Sequence, residues 1–401
     1  MKRARLSGDD ALPLDGPPIP PWPGRRIHLR RGGLYVRETA PTAPDTEPAM
    51  YIHGLGGSSQ NFTDVAGLLA GRLHGLAPDL PGFGYSDPMR RYSLRAFAES
   101  VIDLIEHNAS GPVHLIGNSL GGAICVRVAA LRPDLVRTLV LVSPAMPFLD
   151  ARKSAHGRLV PLLALPKVDR IAARRMAAVD PELLAAEIVR LCWAHPDEIA
   201  PHRLAEAVSE VRRRIEVPHF ASAYTGALRG LVWSFLRAPL PGANSMWSLA
   251  RRICAPTLVI SGLRDRLVDV RVAPRVARTI PDSRLLMLPD VGHVAQMEVP
   301  RTVARAVIGL LDGLPSAPPD AVARSAPAGS AVASAAFAAD GAVASPEDGL
   351  AAFAAHGAVA SPEDGGQVGG SGPRPGAASG ARSGAEAKMR AESPGQARPA
   401  R

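Results

Sequence analysis

Short apolar runs alternate with helix-like stretches from residue 25 to about residue 149. The run at 50–52 is apolar throughout and the run at 113–116 is apolar apart from His114, and the second leads into a helical pattern that extends to Ala130. Apolar runs of this length are typical of strands buried on both faces of a parallel sheet, with the helical stretches as crossovers. The pattern therefore predicts an α/β fold, with a mostly parallel central sheet and helices on both faces.

The strand rhythm stops after Ser143-Pro144 and returns at Pro256. Residues 150–248 read as helices, and one of them begins with Asp180 as its cap and Pro181 at its first position. We interpret this stretch as a helical cap inserted after the sixth strand, between two parts of the core at 25–149 and 249–314. A separate helical domain is the alternative, which we do not favour because candidate catalytic residues lie on both sides of the insertion.

The two ends of the chain differ from the middle in composition. Residues 1–24 are rich in proline and are predicted to lie extended on the surface. Residues 315–401 consist mainly of alanine, glycine, proline and serine, and they hold a tandem duplication of 335–349 in 351–365. Because such a composition buries too little apolar surface to offset its ordering entropy, this segment is predicted to be a disordered tail.

A glycine-flanked serine, Ser119, follows the strand-like run 113–116. The segment Gly117-Asn118-Ser119-Leu120-Gly121 also opens a helix-like stretch. This strand–turn–helix context is the one that a G-x-S-x-G nucleophile elbow requires, because the tight turn leaves no room for side chains at the flanking positions. The pattern predicts that Ser119 is a nucleophile, and a glycine-rich loop with a capping serine is the alternative.

A serine hydroxyl needs a base, and the base needs a carboxylate that orients it. In this kind of fold the chain order is Ser, then Asp or Glu, then His. Asp265 follows the predicted strand 256–260, and His293 follows the predicted strand 284–288. Both residues therefore lie in loops at the carboxyl ends of neighbouring strands, where open α/β sheets bind ligands.

Two other aspartates lie close enough in the chain to compete with Asp265. Asp269 falls where a helix would start, so a role as helix cap is expected. Asp290 lies too near His293 along the chain to approach the imidazole from behind. We therefore predict Asp265 as the catalytic carboxylate.

A glycine-rich loop, His53-Gly54-Leu55-Gly56-Gly57, follows the apolar run 50–52. Acyl transfer builds negative charge on a carbonyl oxygen, which backbone N–H groups stabilise. We expect the amides of Leu55 and Leu120 to form this oxyanion hole. His53 is expected to hold the loop by hydrogen bonds rather than to act as the base.

These segments together resemble the α/β-hydrolase superfamily, and within it the capped serine hydrolases. The resemblance runs from about Arg25 to Leu314 and rests on motifs in the expected order: 53–57, 79–86, 117–121, 262–265 and 292–293. It implies that Asp79 and Asp87 are structural. Serine at position 119 argues against the haloalkane dehalogenases and epoxide hydrolases, which use aspartate there. The segments around Ser119 and His293 are most similar to carbon–carbon bond hydrolases, although carboxylesterases and monoacylglycerol lipases share most of them.

Composition predicts a soluble protein, which we expect in the cytoplasm. No run approaches the roughly 18–20 apolar residues of a membrane span, and residues 1–10 do not read as a secretory signal. Cys125, Cys192 and Cys254 are too few and too scattered for a disulfide framework or a metal site. No metal, cofactor or nucleic-acid partner is implied, and the sequence leaves the oligomeric state open.

The formal net charge is +9. Acidic and basic residues nearly balance after residue 312, so the excess lies before it and includes Arg174-Arg175 and Arg212-Arg213-Arg214 in the cap. A basic face attracts anionic substrates or acidic lipid head groups. We favour the simpler interpretation of an arginine-rich surface, without peripheral membrane contact.

The sequence therefore predicts a serine hydrolase that cleaves a small to medium apolar ester or thioester. The apolar substrate is expected from cap residues available to line the site: Leu162, Leu163, Leu165, Met176, Trp193, Phe220, Tyr224, Trp233 and Trp247. Carbon–carbon bond cleavage or a related lyase reaction is the first alternative, which an arginine reaching the pocket from the cap would favour. A ligand receptor that has lost catalysis is the second.

Overall fold

The computed structural model describes residues 1–13, 16–109, 111–148, 168–236 and 245–314. Within these residues nine strands form one sheet: β1 (Lys2–Arg3), β2 (Gly24–Leu29), β3 (Gly32–Glu38), β4 (Glu47–Ile52), β5 (Leu73–Pro78), β6 (Val113–Asn118), β7 (Val136–Val142), β8 (Thr257–Gly262) and β9 (Ser283–Leu288). Their order across the sheet is β1-β9-β8-β7-β6-β4-β5-β3-β2. The β2–β3 and β3–β5 pairs are antiparallel and the others are parallel. The predicted mostly parallel sheet is confirmed.

The helices connect these strands and cover both faces of the sheet. They are α1 (Thr63–Leu68), α2 (Leu94–Asn108), α3 (Leu120–Leu131), α4 (Val168–Ala178), α5 (Pro181–Cys192), α6 (Pro201–Glu216), α7 (Phe220–Leu236), α8 (Met246–Ala250), α9 (Val272–Thr279), α10 (Ala295–Glu298) and α11 (Pro300–Leu311). Successive residues of β4 point to opposite faces, as strand geometry requires. Met50 and Ile52 join the core formed with α2, α3, α8 and α9, whereas Ala49 and Tyr51 join the core formed with α1, α10 and α11.

The N-terminal segment takes part in the fold more than its composition suggests. Strand β1 pairs in parallel with β9 and extends the edge of the sheet. Leu12 is buried in the core beside α11, although most residues before residue 24 are exposed or half-buried. The Trp22 indole donates to the Thr63 carbonyl at 3.1 Å. Sequence patterns missed this docking because a two-residue strand has no periodicity to read.

Helices α4 to α7 form the described part of the predicted cap and lie in sequence between β7 and β8. Strand β7 is the sixth strand of the sheet in chain order once the short β1 is set aside. Asp180 caps α5 by accepting from the amides of Glu182 and Leu183, and Pro181 is its first residue, as predicted. Helix α8, which crosses the predicted boundary at 248, packs against α3 of the core. The predicted disordered tail lies outside the described residues.

None of the described helices is both long enough and apolar enough to cross a bilayer.

Candidate active site

Ser119 lies in the turn between β6 and α3, with φ 54° and ψ −115°. Residues other than glycine rarely adopt such backbone angles, which store on the order of 1–3 kcal/mol of strain. The surrounding backbone holds the turn in place. The Ser119 N–H donates to the Val142 carbonyl at 3.0 Å, and the Ser119 carbonyl accepts from the Ala145 amide at 2.9 Å. The strand–turn–helix context predicted for this serine is therefore present.

The glycines on either side of the serine are required by close backbone contacts. A Cβ atom at Gly121 would lie 2.1 Å from the Ile52 carbonyl oxygen and 2.6 Å from that of His53. A Cβ atom at Gly117 would lie 2.7 Å from the carbonyl carbon and oxygen of Gly121 and 2.6 Å from Cys125 Sγ. The glycines thus let α3 start directly against the end of β4 and the glycine-rich loop that follows it.

Asp265 and His293 are brought together from loops after β8 and β9. Asp265 Oδ2 lies 2.8 Å from His293 Nδ1, and its Oδ1 accepts from the amides of Leu267 at 2.8 Å and Val268 at 2.9 Å. Burial alone would raise the pKa of the Asp265 carboxyl, but the imidazole and the two amides outweigh it and hold that pKa below its usual range. Because an ionised carboxylate only accepts, Nδ1 carries the proton of this hydrogen bond, and in the neutral ring Nε2 then has a free lone pair.

The other two aspartates point to different partners. Asp269 Oδ1 accepts from the Arg271 amide at 2.9 Å, in the turn that leads into α9. Asp290 is exposed and forms a salt bridge with Arg264 at 2.8 Å. Of the aspartates considered in the sequence, Asp265 is the one that the structure places on His293.

The glycine-rich loop after β4 lies beside the serine. A Cβ atom at Gly54 would lie 3.2 Å from Ser119 Cβ, and Leu55 lines the same cavity as Ser119. Leu120 is the first residue of α3, where the backbone amides have no acceptor within the helix. Leu120 is therefore adjacent to the serine in the chain, and Leu55 follows a glycine that is packed against it.

His53 uses both ring nitrogens to hold this loop. Its Nδ1 lies 2.7 Å from the Gly54 carbonyl, and its Nε2 accepts from the Leu80 amide at 2.8 Å. The ring is fully buried, and burial lowers its pKa. An imidazole with both nitrogens engaged is not available as a general base, in agreement with the sequence-based expectation.

Asp79 and Asp87 shape the turns below the site. Asp79 accepts from the amides of Ser59 at 2.7 Å and Tyr85 at 2.9 Å. Asp87 accepts from the Gly33 amide at 2.9 Å and pairs with Arg26 at 2.6 Å. These contacts fit the structural roles that the resemblance implies.

Ser119 and His293 line one cavity of about 160 Å³ between the sheet edge and the cap. Its cap wall is largely apolar and includes Ile188, Val189, Trp193, Ile199 and Val211. Of the tryptophans named as available for this wall, Trp193 lines the cavity, whereas Trp233 is 62% exposed. Leu162, Leu163, Leu165 and the Met176 side chain lie outside the described part of the chain.

Charged side chains of α6 enter the same cavity. Arg203, Glu206, Glu210 and Arg214 share one face of this helix and line the cavity. The Arg214 Nε atom lies 3.4 Å from Glu210 Oε1, and Arg213 also bonds to Glu210. Burial opposes the ionisation of Glu210, but the two guanidinium groups outweigh it and lower its pKa.

The interpretation of the cap arginines as a surface run is wrong for two of them. Arg212 is exposed, whereas the side chains of Arg213 and Arg214 are only 14% and 12% exposed. Sequence reasoning missed the charged face of α6, although the spacing of positions 203, 206, 210 and 214 places them on one side of a helix.

Among the described residues, no group of three or more His, Cys, Asp or Glu side chains is arranged to hold a metal ion. Cys125 is buried, Cys192 is half-buried at the cavity and Cys254 is exposed, and all three are free thiols.

Comparison with known proteins places this chain among relatives that share its architecture. Lipase 3 of Moraxella sp. (strain TA144) is 28% identical over 276 residues, which cover 67% of this chain and 78% of the lipase. The 2-hydroxymuconate semialdehyde hydrolase of Pseudomonas putida is 26% identical over 277 residues, 66% of this chain and 86% of that enzyme. A thermophilic esterase from Thermogutta terrifontis superimposes with a TM-score of 0.53 at 22% identity, covering 72% of this chain and 98% of the esterase. The family model described as alpha/beta hydrolase fold matches residues 48–300, and the chain therefore belongs to the alpha/beta hydrolase fold family.

Proposed function

We propose that this protein is a serine hydrolase that cleaves a small to medium apolar ester or thioester through an acyl-enzyme on Ser119. The observation that carries the proposal is the 2.8 Å contact between Asp265 and His293, beside a cavity that His293 shares with Ser119. The membership in the hydrolase family supports the reaction class. The apolar cap wall supports an apolar substrate.

In this mechanism the Ser119 hydroxyl attacks the substrate carbonyl and His293 Nε2 accepts the hydroxyl proton. Asp265 orients the imidazole and stabilises its charged form. The amides of Leu55 and Leu120 hold the oxyanion, and each such donor is typically worth about 2.7–4 kcal/mol in the transition state. His293 then donates the proton to the leaving alcohol or thiol. Water, deprotonated by His293, attacks the acyl-enzyme and releases the acid and Ser119.

The test replaces the nucleophile. Ser119→Ala is expected to abolish both ester hydrolysis and labelling by a fluorophosphonate probe, while circular dichroism and thermal unfolding stay as in the wild type. His293→Ala and the Ser119→Ala/His293→Ala double variant should lose nearly as much activity as Ser119→Ala alone, since these groups act as a unit. Full activity in Ser119→Ala would place the nucleophile elsewhere.

Carbon–carbon bond hydrolysis is the second candidate, and Arg214 is the observation that favours it. Its guanidinium reaches the cavity from the cap and shares Glu210 with Arg213. A guanidinium binds a carboxylate well, as would be needed for a ring-fission diketone that carries one. The related enzyme of Pseudomonas putida is named as a 2-hydroxymuconate semialdehyde hydrolase. A series of esters of increasing chain length, assayed beside such a diketone, separates the two candidates by kcat/KM.

A further inference from the structure

The cap contacts the main chain of His293 directly. Helix α5 of the cap ends at Cys192, and the Cys192 carbonyl accepts from the His293 N–H at 2.7 Å. The backbone position of this histidine is therefore set from two sides, by the loop after β9 and by the end of a cap helix. A displacement of residues 192–194 would remove one of the bonds that hold the histidine backbone.

Glu298 makes a second connection between the same two segments. Its Oε1 accepts from the Gly292 amide at 2.9 Å, and its Oε2 accepts from the Ala194 amide at 2.9 Å. A carboxylate offers two acceptor oxygens, so one side chain bridges the residue before His293 and a residue of the cap. Hydrogen bonds to an ionised carboxylate are stronger than those between neutral groups.

The two segments are packed closely at this bridge. A Cβ atom at Gly292 would lie 2.5 Å from the Cys192 carbonyl oxygen, 2.8 Å from the Ala194 nitrogen and 2.9 Å from Glu298 Oε1. Glu298 is half-buried, and burial raises the pKa of its carboxyl above the usual range. The bridge thus lies in a tight, partly dehydrated contact rather than on an open surface.

We propose that Glu298 is a positioning residue that couples the cap to the loop of His293, so that the histidine is aligned for catalysis when residues 192–194 are docked. The inference rests on the proposed function of Ser119 and His293. Glu298 acts through the amides of Gly292 and Ala194 and touches none of the reacting atoms.

The conservative substitution is Glu298→Gln, which preserves size but leaves one acceptor oxygen for two amide donors. Glu187→Gln is the matched control, because Glu187 is an exposed carboxylate on α5 of the same cap. Both changes remove one negative charge. The full-length chain carries each substitution, with the wild type and Ser119→Ala in parallel.

Three measurements are made on each protein: kcat and KM on a small ester, the rate of fluorophosphonate labelling, and hydrogen exchange at the Gly292 and Ala194 amides. In Glu298→Gln we expect kcat and labelling to fall at least about tenfold, equivalent to 1.36 kcal/mol of barrier, with KM within about twofold. Exchange at the two amides should accelerate. A purely structural role would lower the melting temperature without this separation of kcat from KM, and Glu187→Gln should match the wild type.

Wild-type kcat in Glu298→Gln together with an inactive Ser119→Ala would overturn this inference alone. Activity retained in Ser119→Ala would overturn the proposed function and this inference with it. If Glu298→Gln does not unfold cooperatively, the comparison uses Glu298→Asp, which keeps the charge but is one methylene too short to reach both amides. Wild-type kcat in Glu298→Asp would then overturn the inference.

Discussion

At the scale of single residues, the candidate chemistry depends on which carboxylate holds His293. Three aspartates lie in the loops that follow β8 and β9, and each has its own partner in the structure. Asp265 bonds to the imidazole, whereas Asp269 bonds to Arg271 and Asp290 to Arg264. The difference arises because the loop after β8 directs Asp265 toward the loop after β9, while the other two side chains meet arginines nearby in the chain or on the surface.

Asp265→Asn should lower kcat by about 10³–10⁴-fold, somewhat less than removal of the serine or histidine. The amide nitrogen of asparagine donates to Nδ1, which shifts the ring proton to Nε2 and removes the base. The measurement is the steady-state rate on a small ester, with protein folding checked by thermal unfolding.

Asp269→Asn is the matched control for this substitution. It removes the same charge four residues away and weakens a turn before α9, so its effect on kcat should be mild. If Asp269→Asn were the more damaging change, the assignment of the catalytic carboxylate would be wrong.

At the scale of elements, the contact between the start of α3 and the end of β4 decides whether the serine turn can form. Gly121 allows this contact, because any Cβ atom there would overlap the backbone carbonyls of Ile52 and His53. Those carbonyls belong to the strand end and loop that also carry Leu55. The turn of Ser119 and the predicted oxyanion loop are therefore packed as one unit.

Gly121→Ala should destabilise the protein by about 1–3 kcal/mol, the usual range for overpacking a tight core. It should also lower activity, because α3 must shift away from the loop of Leu55. Urea unfolding monitored by fluorescence gives the change in free energy of unfolding.

Gly111→Ala provides the comparison, since nothing lies within 4 Å of a Cβ atom at that position. Its free energy of unfolding should stay within about 0.5 kcal/mol of the wild type. Equal effects of the two substitutions would show that backbone contact at Gly121 is not what requires glycine.

At the scale of the whole molecule, the described core ends with α11, whose apolar face includes the buried Leu310. Residues after Leu314 contain none of the proposed catalytic or oxyanion residues. From their composition, these residues are predicted to form no hydrophobic core. The function proposed here is therefore expected to belong to residues 1–314.

Truncation after Leu314 should change kcat/KM on a small ester by less than about threefold, well under the tenfold that 1.36 kcal/mol of barrier represents. The melting temperature should also hold, because a segment without packing contributes no stability. Loss of cooperative unfolding in the truncated chain would show that the tail docks on the core, and would move the boundary drawn at residue 315.

The sequence by itself determined the fold class, and the structure and the family match confirm it. It also indicated the serine turn and the loops of Asp265 and His293, whose catalytic and oxyanion roles remain predictions. These features are local, because strand and helix periodicity and the glycines of a tight turn are set within a few residues.

Only the tertiary structure decided which cap side chains face the cavity and how the cap meets the histidine loop. The side chains of Arg213 and Arg214 are only 14% and 12% exposed although their run reads as surface, and Trp233 is exposed although its type favours burial. Glu298 and Ala194 are joined by a hydrogen bond across 104 residues of chain. Such contacts depend on how distant helices and loops pack, and no pattern within a short window of sequence carries that information.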